Sequence, residues 1–157
     1  MLNPEPGSYN FTELKDNDRS CVLRIVSAHG SVLLPADAER DAERGLLQRH
    51  GEGLRSDVLV IPHHGSRTSS TPAFVAAVAP RLAIVAAGYR NRFGHPHPAV
   101  VATYRRQGTH LLRTDRSGAI VLELGEGGLD TREWRRLERR YWRSRPDAIE
   151  ESDGQGQ

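Results

Sequence analysis

The sequence contains one cysteine and no long apolar run. Because Cys21 has no second cysteine to pair with, an intramolecular disulfide and a cysteine metal cluster are excluded. Its apolar neighbours predict that Cys21 lies in the core. No apolar stretch approaches the roughly 18 residues that a membrane span needs, and residues 1–10 lack the regions of a signal peptide. The chain is therefore predicted to be soluble, with no targeting signal.

Lysine is almost absent, so arginine supplies nearly all of the positive charge. Lys15 is the only lysine, and Lys and Arg together number 22 against 20 Asp and Glu, which leaves a formal charge of +2. The planar guanidinium group suits phosphate and carboxylate, so this composition is consistent with an anionic partner. A GC-rich genome gives the same bias, and both explanations stay open at this point.

Strand and helix patterns alternate along a chain of 157 residues, the length of one ordinary domain. The predicted strands cover residues 21–27, 31–35, 57–61, 82–87, 109–114 and 118–124. The predicted helices cover residues 38–50, 71–80 and 98–107. The first two strands are expected to pair as a hairpin, and the last two around a turn at 115–117. This pattern indicates an α/β domain with a mixed sheet and flanking helices.

Two further segments follow this domain, which is assigned to residues 1–125. Residues 126–146 are predicted to form an arginine-rich C-terminal helix, with an apolar stripe at Trp134, Leu137 and Tyr141. Residues 147–157 are acidic and polar, which predicts a disordered tail.

Asp37 closes a predicted strand and precedes a predicted helix. A carboxylate at this position caps the helix by accepting its first free backbone N–H groups, which is the simpler interpretation from local sequence. The end of a strand in a layered α/β protein is also where ligands gather, and carboxylate oxygens bind divalent ions. Both roles are therefore considered.

His63 and His64 follow the apolar strand 57–61, separated from it by Pro62. Neutral imidazole is a common zinc or manganese ligand, whereas a hydrogen-bonded turn histidine is the alternative. Adjacent histidines do not readily bind one ion together, so we expect one to bind metal while the other orients a neighbour or contacts substrate. Gly65, behind the pair, permits a close approach of the backbone.

Two more polar segments accompany the histidine pair. His95 and His97 each precede a proline, and the alternatives are a stiff loop with solvated histidines or a pair of imidazoles facing one side. Four hydroxyl residues precede a predicted helix, where they either hold a phosphate or, more simply, cap the helix: Ser66, Thr68, Ser69 and Ser70.

Five segments in this order resemble the C-terminal metallo-β-lactamase-like domain of ComEC-type DNA-internalisation competence proteins. The similarity runs over residues 2–124, with more around RRYW at 139–142. The segments are NDRSCVLRI (17–25), SVLLPADAERDAE (31–43), DVLVIPHHGSRTSS (57–70), AAGYRNRFGHPHP (86–98) and LLRTDRSGAI (111–120).

The resemblance implies an αββα sandwich, of which this chain is the C-terminal half, and a binuclear zinc or manganese centre. It implies hydrolysis of a phosphodiester in the DNA strand that is degraded during uptake. Asp37 falls on the bridging aspartate of the family, and one of His63 and His64 on a late histidine ligand. These three are the implied catalytic and metal-binding residues. The implied substrate-side residues are Ser66, Asn91 and His95.

The chain departs from the family pattern in two places. No HxHxDH-like segment, the family's first metal motif, occurs in the 157 residues, so metal binding by this chain alone is expected to be weak or absent. Ala36 stands where the family usually has glycine, so Asp37 is expected to be displaced, since alanine adopts positive φ only at a cost.

These departures predict a fragment of a longer protein in the inner or plasma membrane. Its expected partners are single-stranded DNA, the missing N-terminal half of the domain and membrane channel segments. Without that half, the sheet is expected to expose apolar surface. The alternative function is a non-catalytic nucleic-acid-binding or structural remnant of the same fold. In that role phosphate is contacted by Arg67, Arg90, Arg92 and Arg113.

Overall fold

The structure is a computed structural model that describes residues 1–4 and 15–137. Its strands are β1 (Leu23–Ser27), β2 (Gly30–Leu34), β3 (Val58–Val60), β4 (Leu82–Val85), β5 (His110–Arg113), β6 (Ile120–Gly125) and β7 (Gly128–Glu133). Its α-helices are α1 (Arg40–His50), α2 (Pro72–Val78), α3 (Pro98–Arg106), α4 (Thr114–Ser117) and α5 (Trp134–Leu137). Short 3-10 turns cover Asp16–Arg19, Gly51–Leu54 and Pro62–Gly65.

A five-stranded mixed sheet organises the chain. The strands lie in the order β1-β2-β3-β4-β5, with β1 antiparallel to β2 and every later pair parallel. The predicted N-terminal hairpin and the α/β class with flanking helices are confirmed. Because β2 to β5 are parallel and sequential neighbours, their carboxyl ends meet along one edge of the sheet, where the loops that carry the candidate residues begin.

One face of the sheet is covered by three helices. Right-handed crossovers between sequential parallel strands place α1, α2 and α3 on the same side. The fully buried Leu46, Phe74 and Tyr104 come from these helices, and they share one core cluster with Leu33 and Leu59 of the sheet. Burying such side chains contributes about 1.5 to 3 kcal/mol each, so this layer holds the strand ends in place.

The opposite face is only partly covered. A separate two-stranded sheet of β6 and β7 packs Ile120, Leu122 and Leu129 against a second cluster that includes Val58 and Ile84. Beyond this hairpin β1 remains uncovered, since Leu23 is 39% and Ile25 is 49% exposed. This exposed apolar surface agrees with the expectation from the sequence.

Three sequence predictions are wrong. Strand β6 pairs with β7 and not with β5, because the α4 turn separates β5 from β6. Residues 128–133 form a strand and not the start of a C-terminal helix, since Leu129 packs on the sheet and the Gly125–Gly128 pair closes a hairpin turn. Cys21 is exposed, because it lies before β1 at the margin of the sheet.

The structure covers only part of the segment to which the C-terminal predictions apply. A helix begins at Trp134 and is described to Leu137. The described residues do not include Tyr141, the RRYW segment, most of the predicted arginine-rich helix or the predicted tail. Within residues 1–4 and 15–137, no helix has both the length and the apolar character that a membrane crossing requires.

Candidate functional site

Asp37 and His64 lie together at the carboxyl edge of the sheet. Asp37 follows β2 and His64 follows the adjacent parallel strand β3, so the topology brings them together. The Oδ1 atom of Asp37 lies 3.6 Å from Nε2 of His64. Both side chains are about half exposed, at 48% and 54%, so an ion or substrate can reach them.

The His64 ring is held in one orientation by the end of β4. Its Nδ1 lies 2.7 Å from the carbonyl oxygen of Ala86. Because a carbonyl only accepts, Nδ1 carries a proton, and Nε2 is the ring atom that faces Asp37, where it is an acceptor whenever it carries no proton. Two acceptors facing each other repel unless a proton or a cation lies between them. A backbone bond of this kind is the usual support of a metal-binding histidine.

The separation of the two acceptors fits joint binding of one cation. Zinc ligands lie about 2.0–2.2 Å from the ion, so two ligands at a tetrahedral angle are about 3.4 Å apart. The 3.6 Å between Asp37 Oδ1 and His64 Nε2 is close to this value. The pair therefore fits as part of a ligand set. Within residues 1–4 and 15–137, no group of three or more His, Cys, Asp or Glu side chains has metal-binding geometry.

His63 points to a different partner. Its Nδ1 lies 3.2 Å from Oε1 of Glu39 and 3.3 Å from the Thr68 hydroxyl. A hydrogen bond from the Asn17 amide is the main cause that lowers the pKa of the Glu39 carboxyl, and the charge of His63 adds to it. Because the ionised Glu39 only accepts, it fixes the Nδ1 proton of His63 and leaves Nε2 free.

Asp37 does not cap helix α1, so the simpler interpretation of this residue is wrong. The residue that precedes the helix is Glu39, and the backbone N–H of Ala42 donates instead to Asp18 Oδ1 at 3.2 Å. A buried carboxylate from the preceding 3-10 turn therefore does the capping. Asp37 is left available for the edge of the sheet.

Ala36 adopts the conformation that glycine would adopt more cheaply. Its φ is +50°, and its carbonyl accepts from the His63 N–H at 3.0 Å. A positive φ costs a non-glycine residue about 1–2 kcal/mol. The chain adopts this strained conformation and places Asp37 beside His64, whereas the expected displacement of Asp37 relative to the family stays a prediction.

The loop that carries the two histidines is left-handed over three residues. His63 and His64 have φ values of +48° and +55°, and Gly65 follows at +81°. Consecutive non-glycine residues in this region are strained, and such strain collects at functional sites. The bonds that Ser70 and Thr71 donate to Glu43, and that His97 donates to Gly65, hold the loop in this conformation.

Glu43 of helix α1 anchors the far end of this loop. Its side chain is fully buried, and its carboxylate accepts from the backbone N–H groups of Ser70 at 2.5 Å and Thr71 at 2.8 Å. Burial raises the pKa of this carboxyl group, and the bonds from Thr71 and Ser70 oppose the rise. The Thr71 hydroxyl caps helix α2 by accepting from the Phe74 N–H, so the cap lies one residue beyond the predicted hydroxyl residues.

The loop from Asn91 to His97 packs directly onto Gly65. The His97 N–H donates to the Gly65 carbonyl at 2.8 Å, and a Cβ atom on Gly65 would lie 2.6 Å from Cβ of Pro96. The Asn91 side chain bonds the backbone of His95 in both directions, with distances of 2.8 Å and 2.9 Å. Asn91 therefore shapes this loop from within.

The remaining predicted residues fall in different places. His95 reaches the site, with its ring centroid 6.3 Å from that of His63. His97 caps helix α3, because its Nδ1 accepts from the Ala99 N–H. Ser66 is 9% exposed, and its hydroxyl bonds Thr68 within its own loop. The substrate-side roles of Ser66, Asn91 and His95 stay predictions.

We expect His95 to titrate below the ordinary histidine value. Burial is the main cause that lowers its pKa, and the charges of His63, His64 and His97 add to it. Because the folded pKa lies below the unfolded one, the contribution of His95 to stability is present above the unfolded value and falls as pH drops through the folded one. NMR titration, with His95→Gln to assign the resonance, measures this. A midpoint at or above 6.5 would contradict it.

Three residues of this site were not singled out in the sequence. Glu39 orients His63, Glu43 anchors the loop, and Asp18 caps helix α1 in place of Asp37. For Glu39 and Glu43 a signal was present, since both lie in the ADAERDAE run at 36–43, which contains Asp37 and leads into helix α1. Asp18 bonds a residue 24 positions away, which local patterns do not reveal.

Comparisons with known proteins give a consistent result. The chain is 41% identical over 133 residues to Competence protein ComA of Neisseria gonorrhoeae, which is 85% of this chain and 19% of that protein. It is 33% identical over 117 residues to ComE operon protein 3 of Bacillus subtilis, covering 74% and 14%. It is 31% identical over 127 residues to Recombination protein 2 of Haemophilus influenzae, covering 81% and 16%. These homologues indicate a ComEC-type competence family.

The similarity to these proteins covers most of this chain but little of each relative. The chain spans between 14% and 19% of the length of the three curated relatives described here. No protein-family model matches the sequence. The competence family therefore rests on pairwise similarity to long proteins of which this chain corresponds to a small part.

Proposed function

We propose that this chain is the later part of a metal-dependent phosphodiester hydrolase domain that acts on DNA during competence. The carrying observation is the pair of facing acceptors, Asp37 Oδ1 and His64 Nε2, held 3.6 Å apart by two neighbouring strands. Similarity to competence proteins from three bacteria supports the DNA-uptake context. The domain belongs, in this proposal, to a metallo-β-lactamase-type sandwich whose other sheet covers the exposed face of β1.

Asp37 and His64 bind the ion, and the further ligands come from a segment with the HxHxDH-like motif that this chain lacks. When bound there, a divalent zinc or manganese ion would activate water and neutralise charge on the phosphodiester. Asp37 offers a second oxygen for a second ion. His63, with its Nδ1 proton held by Glu39, presents Nε2 toward the substrate and accepts or donates a proton there.

Metal titration tests this assignment on the 157-residue chain. We expect manganese to bind weakly at one site, because two protein ligands are fewer than a tight site uses. Asp37→Asn and His64→Gln should each weaken the binding about tenfold or more, which calorimetry or manganese EPR measures. His29→Gln, an exposed histidine in the β1–β2 turn, is the matched control and should change nothing. Equal affinity in all four proteins would remove the proposed site.

Activity is then measured on a fusion that supplies the HxHxDH-like segment ahead of residue 1. The fusion should cleave a labelled single-stranded oligonucleotide in the presence of manganese, and Asp37→Asn should abolish cleavage. Chelation by EDTA should do the same. Cleavage that survives both changes would show that another group performs the chemistry.

The small number of ligands favours a second candidate, a non-catalytic nucleic-acid-binding module. The described residues hold no complete metal cluster, and Arg67, Arg90 and Arg92 lie on the exposed surface. Arg113 is less free, because Asp115 binds its guanidinium at 3.0 Å and 2.7 Å. This candidate predicts that the fusion binds single-stranded DNA without cleaving it.

A further inference from the structure

The loop after β4 carries an exposed aromatic ring beside the candidate site. Phe93 is 67% exposed, which is unusual for a side chain that gains about 1.5 to 3 kcal/mol from burial. Its ring stacks on that of His95, with centroids 5.9 Å apart and an angle of 18° between the planes. The stacking contact with His95 therefore restricts the orientation of the exposed Phe93 ring.

A row of rings connects Phe93 to the proposed metal ligands. His95 lies 6.3 Å from His63, and His63 lies 6.4 Å from His64, between ring centroids. The internal bonds of Asn91 and the contact of Pro96 with Gly65 fix this arrangement. A ligand stacked on Phe93 is consequently next to the proposed reaction centre but not at it.

The charges around Phe93 match a polyanion. Residues 88–97 contain Arg90 and Arg92 and no acidic residue. The Arg92 guanidinium lies over the Phe93 ring at 4.9 Å, and Arg90 lies over Tyr89 at 5.2 Å. Within the described part of the chain, neither arginine has a carboxylate partner. Each can therefore turn from its ring to a phosphate, or offer its own planar face to a base.

We propose that Phe93 is a stacking platform for an unpaired nucleobase of the substrate strand, and that Arg92 binds the adjoining phosphate. An exposed ring flanked by arginines is how proteins bind single strands without reading sequence, because every base has a π face. Paired bases in a duplex are already stacked on their neighbours, so the platform selects single strands. This inference rests on the proposed function, which it deepens by naming the substrate feature recognised beside the metal site.

The test is equilibrium binding in EDTA, so that neither metal nor hydrolysis contributes. Fluorescence anisotropy is measured with a labelled oligodeoxythymidylate of about 12 nucleotides, within the range that single-strand binders cover. Phe93→Leu keeps apolar bulk but removes the ring, and should weaken binding about fivefold or more. Phe93→Trp should keep the affinity, and its added emission should be quenched by the oligonucleotide. Arg92→Ala should weaken binding and reduce its dependence on salt.

Matched controls separate stacking from a general effect on the loop. Tyr89→Leu removes another ring of the same loop, which is less exposed than Phe93, at 46% against 67%. Two guanidiniums, of Arg90 and Arg135, lie over the Tyr89 ring where Phe93 has one, so this substitution should leave binding within about twofold. Binding of a duplex should differ little between wild type and Phe93→Leu.

The platform would be ruled out if Phe93→Leu bound the single strand as wild type does, or lost single-strand and duplex binding equally. Absence of quenching in Phe93→Trp would also rule it out. Failure of the hydrolase proposal looks different, because the fusion would then bind single strands through Phe93 and still not cleave them.

Discussion

Gly65→Ala is expected to cost about 2 to 4 kcal/mol of folding free energy. The added Cβ would lie 2.6 Å from Cβ and 3.1 Å from Cα of Pro96, which is closer than carbon atoms approach without displacement. The φ of +81° adds a backbone penalty of about 1–2 kcal/mol for any L side chain. Either the protein keeps its structure and loses this free energy of folding, or the loop bearing His95 moves away from the histidine pair. Urea denaturation followed by circular dichroism measures the loss.

Two other glycines dissect this effect. Gly94 has a φ of +65° with open space around it, so Gly94→Ala should show the backbone penalty alone, about 1 kcal/mol. Gly88 has open space and no positive φ, so Gly88→Ala should change stability by less than about 0.5 kcal/mol. If Gly65→Ala were no worse than Gly94→Ala, the close contact with Pro96 would have no energetic weight. Manganese binding by Gly65→Ala should weaken together with stability.

Local patterns were sufficient for the elements of the central sheet. The unbroken apolar run that ends at Ile61 predicts β3, and Pro72 and Pro98 mark the first turns of α2 and α3. Parallel order then brings Asp37 and the histidine pair to one edge, which the structure confirms at 3.6 Å between Asp37 and His64. Hydrophobic periodicity decides these features, and periodicity is visible in one sequence.

Choices between competing partners were not visible in the same way. Asp37 and Asp18 both compete to cap α1, and the fold selects Asp18, which lies far away in sequence. The Ala86 carbonyl at the end of β4 orients the His64 ring, so that His64 and not His63 faces Asp37. Such a backbone group has no sequence signature. Likewise, residues 128–133 pair as a strand because an apolar sheet face is available for Leu129. Tertiary contacts decide each of these cases.

Glu43→Ala is the second substitution with a large expected effect, about 2 to 4 kcal/mol of lost stability. Ala leaves the buried N–H groups of Ser70 and Thr71 without their acceptor and opens a cavity between α1 and α2. The control Glu52→Ala removes an exposed carboxylate just after α1, and should cost less than about 0.5 kcal/mol. Urea denaturation at pH 7 compares the two. A similar loss for both would mean that the buried bonds contribute nothing.

The pH dependence of a conservative variant gives a sharper measure of the same carboxylate. Burial raises the pKa of Glu43 above its ordinary 4.5, so ionisation of this group is less favourable in the folded protein than in the unfolded chain. Its contribution to stability is full below the unfolded pKa and decreases as pH rises through the folded pKa. The side chain of Glu43→Gln does not titrate, and its amide NH2 group would face one of the two backbone N–H groups, which are both donors. At acid pH this variant is therefore less stable than wild type. We expect the difference in unfolding free energy between wild type and Glu43→Gln to decrease as pH rises above 4.5. An increase in this difference would mean that the pKa of Glu43 is lowered and not raised.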